Sequence, residues 1–84
     1  MKKYFIISYE KEINGKWITV VIYTTDKDRA EQEHWEAIIT PWFYSVDMRE
    51  VELVDEQIDE LTARVKGFNI PYNRYSRDYF KIVA

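Results

Sequence analysis

A β-hairpin near the amino terminus constrains the fold of this chain more than any other feature. Segments 3–12 and 16–25 are rich in β-branched and aromatic residues, and Asn14-Gly15 lies between them. Asn-Gly is the favoured pair for a two-residue type I′ turn, because both positions require a positive φ angle. A two-residue loop also fixes the strand register, and here it places Tyr9 opposite Val20.

This register gives the hairpin two apolar faces. The face that carries Phe5, Ile7, Val20 and Ile22 is the predicted core face. The opposite face is also apolar and aromatic, and we expect it to be exposed, since exposed apolar patches usually mark an interface. The predicted interface residues on it are Tyr4, Ile6, Trp17, Val21 and Tyr23. Two such sheets could stack into a homodimer; alternatively, segment 42–44 covers this face within one chain.

The remaining elements follow from helical periodicity and from capping residues. Thr25-Asp26 predicts the start of a first helix that ends at Pro41, with an apolar stripe containing Ala30, Ala37 and Ile38 and with Trp35, Ile39 and Trp42 alongside. A third strand is expected over 46–54, and a second helix over 55–66 that is stopped by Gly67. A loop is expected over 69–78 and a closing strand over 79–83.

The predicted fold class is therefore α+β, with the element order β-β-α-β-α-β. We expect a two-layer sandwich in which both helices pack on one face of a mostly antiparallel four-stranded sheet. With 84 residues and no linker-like segment, residues 1–84 are expected to form a single compact domain.

The sequence lacks the residue sets that most catalytic and metal sites need. There is no cysteine, and His34 is the one histidine, so Glu31 and His34 have no second motif with which to build a carboxylate-bridged metal site. The chain also lacks a glycine-rich phosphate loop and a nucleophile elbow. We expect no catalytic residues, no metal and no cofactor, and hence a protein that is not an enzyme.

Charge is segregated along the chain. Residues 26–63 carry twelve acidic against three basic side chains, whereas the segments on either side are net positive. Such polarity acts on partner choice and association rate. We expect a basic protein partner to contact the acidic first helix through Glu31, Glu33 and Glu36.

The carboxy-terminal segment suggests an alternative partner. Arginines interleaved with tyrosines can hold phosphates while the rings stack on unpaired bases. The residues that would contact single-stranded nucleic acid are Tyr72, Arg74, Tyr75, Arg77 and Lys81. An isoelectric point near 5.1 argues against this partner. The same side chains could instead form a protein interface or pair with the acidic helices.

Together these observations predict a small non-enzymatic protein-binding module that acts as an inhibitor or an adaptor. Small acidic proteins of this kind are often encoded by phages or mobile elements, which we take as the expected origin. The longest apolar runs are too short for a signal peptide or a membrane span, so we expect a cytoplasmic protein that does not bind membranes. The alternative function is binding of single-stranded nucleic acid.

Overall fold

The protein forms one four-stranded antiparallel sheet with two helices. The structure is a computed structural model that describes residues 1–68 and 79–83. Its elements are β1 Lys2–Ile13, β2 Lys16–Thr24, α1 Lys27–Ile39, β3 Tyr44–Leu53, α2 Asp55–Phe68 and β4 Tyr79–Val83. The strand order is β3-β1-β2-β4, and every neighbouring pair is antiparallel. The predicted α+β class and the predicted element order are confirmed; the loop expected over 69–78 lies outside the described residues.

The hairpin forms as the Asn-Gly turn dictates. Asn14 and Gly15 have φ angles of 52° and 79°, as a type I′ turn requires. Tyr9 pairs with Val20, which confirms the predicted register. The two hairpin strands are the central strands of the sheet, with β3 added beside β1 and β4 added beside β2.

Helix α1 packs on one face of the sheet, here called the α1 face. This face carries Phe5, Ile7 and Ile22, which form a buried cluster with Ala30 and Ala37 of the helix. Because alanine has a small side chain, the helix axis can lie close to the sheet along this line of contact.

Helix α2 packs on the other face, here called the α2 face. Ile58 and Leu61 of α2 form a second buried cluster with Tyr4, Phe80 and Ile82 of the sheet. The expectation that both helices share one face is therefore wrong. The reason is that the two central strands carry apolar side chains on both faces, and a sheet of that composition needs cover on both sides.

Local hydrogen bonds fix where the helices begin. The Asp26 carboxylate accepts hydrogen bonds from the backbone N–H groups of Asp28 and Arg29, at 3.0 and 3.3 Å, and so caps α1. At the start of α2, the Gln57 side chain accepts a hydrogen bond from the Val54 N–H at 3.0 Å. Helix α2 continues through Gly67 to Phe68, so the predicted stop at Gly67 is wrong.

Strand β3 contains an irregularity where it pairs with the second half of β1. The register shifts between Ser8 and Glu10, and Ser45 has a φ angle of 55°. A non-glycine residue in this left-handed region costs about 1–2 kcal/mol. The surrounding pairing therefore holds Ser45 in a strained conformation, which places Tyr44 directly opposite Glu10.

Because α2 packs on its own face of the sheet through Ile58, which is 1% exposed, we expect truncation of this side chain to cause a large loss of stability. Ile58→Ala should lower the free energy of unfolding by about 2–5 kcal/mol, because it opens a cavity between α2 and the sheet. The matched exposed variant Glu60→Ala should change it by less than about 0.5 kcal/mol. Urea denaturation followed by circular dichroism measures both, and a cost at Ile58 no larger than at Glu60 would contradict the second core.

The strain at Ser45 predicts a stabilising substitution. Ser45→Gly should raise the free energy of unfolding by up to about 1 kcal/mol, because glycine adopts a positive φ without steric cost. The gain is limited because glycine loses more backbone entropy on folding than serine does. Ser45→Val should destabilise the protein, since a β-branched residue fits this region worst. Equal melting temperatures for the three proteins would show that the bulge is not strained.

Candidate functional site

Three large apolar side chains of α1 point away from the sheet. Trp35, Ile38 and Ile39 are 62%, 53% and 57% exposed. Their spacing of i, i+3 and i+4 places them side by side on one face of the helix. With the exposed Glu31 and Glu36 they form what is called here the α1 outer surface.

This surface exists because α1 buries its small residues and exposes its large ones. The described buried residues of the helix are Ala30 and Ala37. The sequence pattern indicated one broad apolar stripe against the sheet, but the structure divides that stripe. Ala30 and Ala37 are buried, whereas Ile38, Trp35, Ile39 and Trp42 are exposed, so the predicted stripe does not pack on the sheet as a whole. The physical reason is that the apolar stripe is too wide: its residues extend around more of the helix circumference than contact with one sheet can cover.

The charge on the α1 outer surface is negative. Glu31 and Glu36 are exposed, and the Glu36 carboxylate accepts a hydrogen bond of 3.3 Å from the neutral Gln32 side chain. The last turn of α1 has no basic residue, so the negative end of the helix dipole is not offset there. A partner that covers Trp35 would therefore meet carboxylates at the border of the contact.

Glu33, the third predicted acidic contact, lies on a different side of the helix. It is half-buried and forms an ion pair of 3.9 Å with Arg29. The Arg29 guanidinium in turn lies 3.9 Å from the centre of the Tyr79 ring. Glu33 thus lies at the contact between α1 and the sheet, apart from Glu31 and Glu36, and its role at a partner surface stays a prediction.

Two tyrosines beneath α1 have raised pKa values. Burial raises the pKa of Tyr9 above 10.0, and the negative charge of Glu33 raises it further. Burial and Glu33 also raise the pKa of Tyr79, while Arg29 acts in the opposite direction by its charge and by a hydrogen bond. Both rings therefore stay neutral across the physiological pH range.

The predicted hairpin patch is largely covered. Tyr4 is fully buried under α2, so its predicted exposure at an interface is wrong. Tyr23 packs at the border of the same cluster, and Ile6 and Val21 are half-buried. Trp17 is the one predicted member that is exposed, at 57%.

Segment 42–44 divides between the two faces rather than covering one of them. Phe43 stacks on Tyr9 of the α1 face, with ring centres 4.2 Å apart. Tyr44 makes an edge-to-face contact with Trp17, with ring centres 5.4 Å apart. Trp42 is exposed and lies three residues beyond Ile39, the last residue of α1.

Most of the predicted nucleic-acid contacts lie outside the described residues. These are Tyr72, Arg74, Tyr75 and Arg77. Lys81 is described, and it lies exposed on β4. The structure therefore brings together no nucleic-acid site among the residues that it describes.

The described residues also offer little for small-molecule chemistry. An open pocket of about 180 Å³ lies between α2 and the sheet, lined by residues that include Tyr23, Leu53 and Leu61. Ligand pockets usually measure about 300–1,000 Å³. Within the described ranges no three acidic or histidine side chains are grouped to hold a metal ion, and neither helix has the length and apolar character of a membrane span.

Comparison with protein-family models, with curated proteins and with solved structures found no match to this chain.

The tyrosine environment predicts a loss of stability in alkali. Since the folded-state pKa values of Tyr9 and Tyr79 lie above 10.0, the unfolded chain loses these protons at lower pH than the folded chain. Their contribution to stability is complete below about pH 10 and is lost as the pH rises through the raised values. The free energy of unfolding should therefore fall above about pH 10.

Glu33→Gln tests the cause of the shift. Removing this carboxylate should lower the pKa of both rings, which NMR titration of the tyrosine ring resonances measures directly. Glu31→Gln, on the outer side of the same helix, should leave both values unchanged. Identical titrations in all three proteins would contradict the assigned electrostatic contact.

Proposed function

We propose that this protein is a non-enzymatic protein-binding module, acting as an inhibitor or an adaptor, whose acidic α1 outer surface contacts a basic partner protein. It acts in the cytoplasm, and the partner belongs to the host of the phage or mobile element that encodes the module. The observation that carries the proposal is the exposure of Trp35, Ile38 and Ile39 side by side on α1.

The composition of the α1 outer surface supports this proposal. Tryptophan is among the residues most enriched in interface hot spots, and a typical interface has an apolar centre with a polar border. Here Trp35 and the two isoleucines form the centre, and Glu31 and Glu36 form part of the border. More than half of each apolar side chain remains to be buried by a partner.

The helix also has the form of a known recognition mode. An amphipathic helix can place apolar anchors at i, i+3 and i+4 into a groove of its partner. The carboxylates beside these anchors, and the absence of basic residues in the last turn of α1, favour lysine and arginine at the border of that groove. The net negative charge of residues 26–63 also attracts a basic partner, and it does so at longer range.

Affinity capture with matched variants tests the proposal. The immobilised protein is exposed to extract of the host cell, with and without nuclease treatment. Trp35→Ala, Glu31→Lys/Glu36→Lys and a charge-matched control, Glu52→Lys/Glu56→Lys, are tested in parallel. A specific protein should bind the wild type and the control. Its binding should weaken by about thirtyfold with Trp35→Ala, as for a hot-spot residue, and should weaken as salt is added.

Three outcomes would contradict the proposal. Equal capture by all variants would place the contact elsewhere, and loss of capture on nuclease treatment would favour single-stranded nucleic acid as the partner. Sedimentation of the wild type as a dimer that Trp35→Ala dissociates would assign the α1 outer surface to self-association.

A further inference from the structure

A second exposed aromatic feature lies on the α2 face, beyond the part that α2 covers. Trp17 and Tyr44 are 57% and 52% exposed, and their rings meet edge to face. Trp17 is on β2 and Tyr44 is on β3, with β1 between them in the sheet. The two rings therefore meet across the central strand β1, and they form a small aromatic platform.

Two carboxylates flank this platform. Glu12 is the direct cross-strand partner of Trp17, and Glu10 is the partner of Tyr44. Directly opposed residues project to the same side of a sheet, so both exposed carboxylates lie on the side of the rings. In the described part of the chain neither glutamate forms an ion pair, while the nearby Arg49 pairs with Asp47 at 3.1 Å.

The platform is held in place before any ligand arrives. The strained Ser45 follows Tyr44 directly, and the preceding Phe43 is stacked on Tyr9 on the opposite face. Both ends of the short segment that carries Tyr44 are thus fixed. Fixed aromatic side chains lose little conformational entropy on binding, which favours even a small contact.

The chemistry of the site selects a cation. The faces of aromatic rings attract positive charge, and Trp binds cations best. Arginine suits this arrangement better than lysine, because its planar guanidinium can stack on a ring while its N–H groups donate to carboxylates. We propose that Trp17, Tyr44, Glu10 and Glu12 form a binding site for an arginine side chain of a partner protein. This proposal does not depend on the α1 outer surface.

Tryptophan fluorescence can report on this site alone. The chain has three tryptophans, so Trp35→Phe/Trp42→Phe leaves Trp17 as the single emitter. This Trp35→Phe/Trp42→Phe variant, the background for all further changes, is titrated with a capped Gly-Arg-Gly-Arg-Gly peptide. It is also titrated with the same peptide carrying neutral citrulline in place of arginine. We expect a saturable change in Trp17 emission with the arginine peptide, and about tenfold weaker binding of the citrulline peptide.

Matched variants in that background separate this site from the α1 outer surface. Glu10→Gln/Glu12→Gln should weaken binding of the arginine peptide by about tenfold, whereas Glu31→Gln/Glu36→Gln should leave it unchanged. Tyr44→Leu should weaken it as well, with circular dichroism confirming that the fold is retained.

The proposal is overturned if Trp17 emission shows no saturable change, if the citrulline peptide binds equally well, or if Glu31→Gln/Glu36→Gln has the larger effect. None of these results contradicts capture of a partner through Trp35, so the two proposals can fail separately.

Discussion

The pairing of β1 with β2 is the interaction on which the rest of this structure depends. Asn14-Gly15 sets a register that places apolar side chains on both faces of the two central strands. A sheet of this kind loses stability on whichever side water reaches, so both faces need cover. The two helices divide that task, and two separate buried clusters result instead of one.

This division determines which surfaces are left for other molecules. Helix α1 approaches its face through Ala30 and Ala37, and its large apolar residues are left outside. Helix α2 covers the half of its face that contains Tyr4 and Phe80, and it leaves Trp17 uncovered. The two exposed aromatic surfaces are thus by-products of how each helix covers its side of the sheet. Both surfaces are bordered by exposed carboxylates.

Local signals in the sequence predicted the elements, while the allocation of faces needed the three-dimensional structure. The Asn-Gly turn, the Asp26 cap and Pro41 each act within a few residues, and each acts as expected. Which face α2 covers depends on contacts between residues as distant in sequence as Tyr4 and Ile58, which no local pattern reports. The exposure of Trp35 could have been predicted from the sequence, because the apolar residues of α1 extend around too much of the helix for all of them to contact the sheet. The contact between Trp17 and Tyr44 depends on a bulge at Ser45. No residue in this segment is of a type that predicts a bulge.

The position of β3 on the edge of the sheet also bears on aggregation. An edge strand presents unpaired N–H and C=O groups that can add a strand from another molecule. Strand β3 is ten residues long, enough to act as such a template, but it carries exposed charges at Asp47, Arg49, Glu50 and Glu52. Adding a foreign strand would crowd these charges on both faces of the enlarged sheet. In a molecule with tryptophans on its surface, these charges protect the β3 edge against fibre-like growth by backbone pairing.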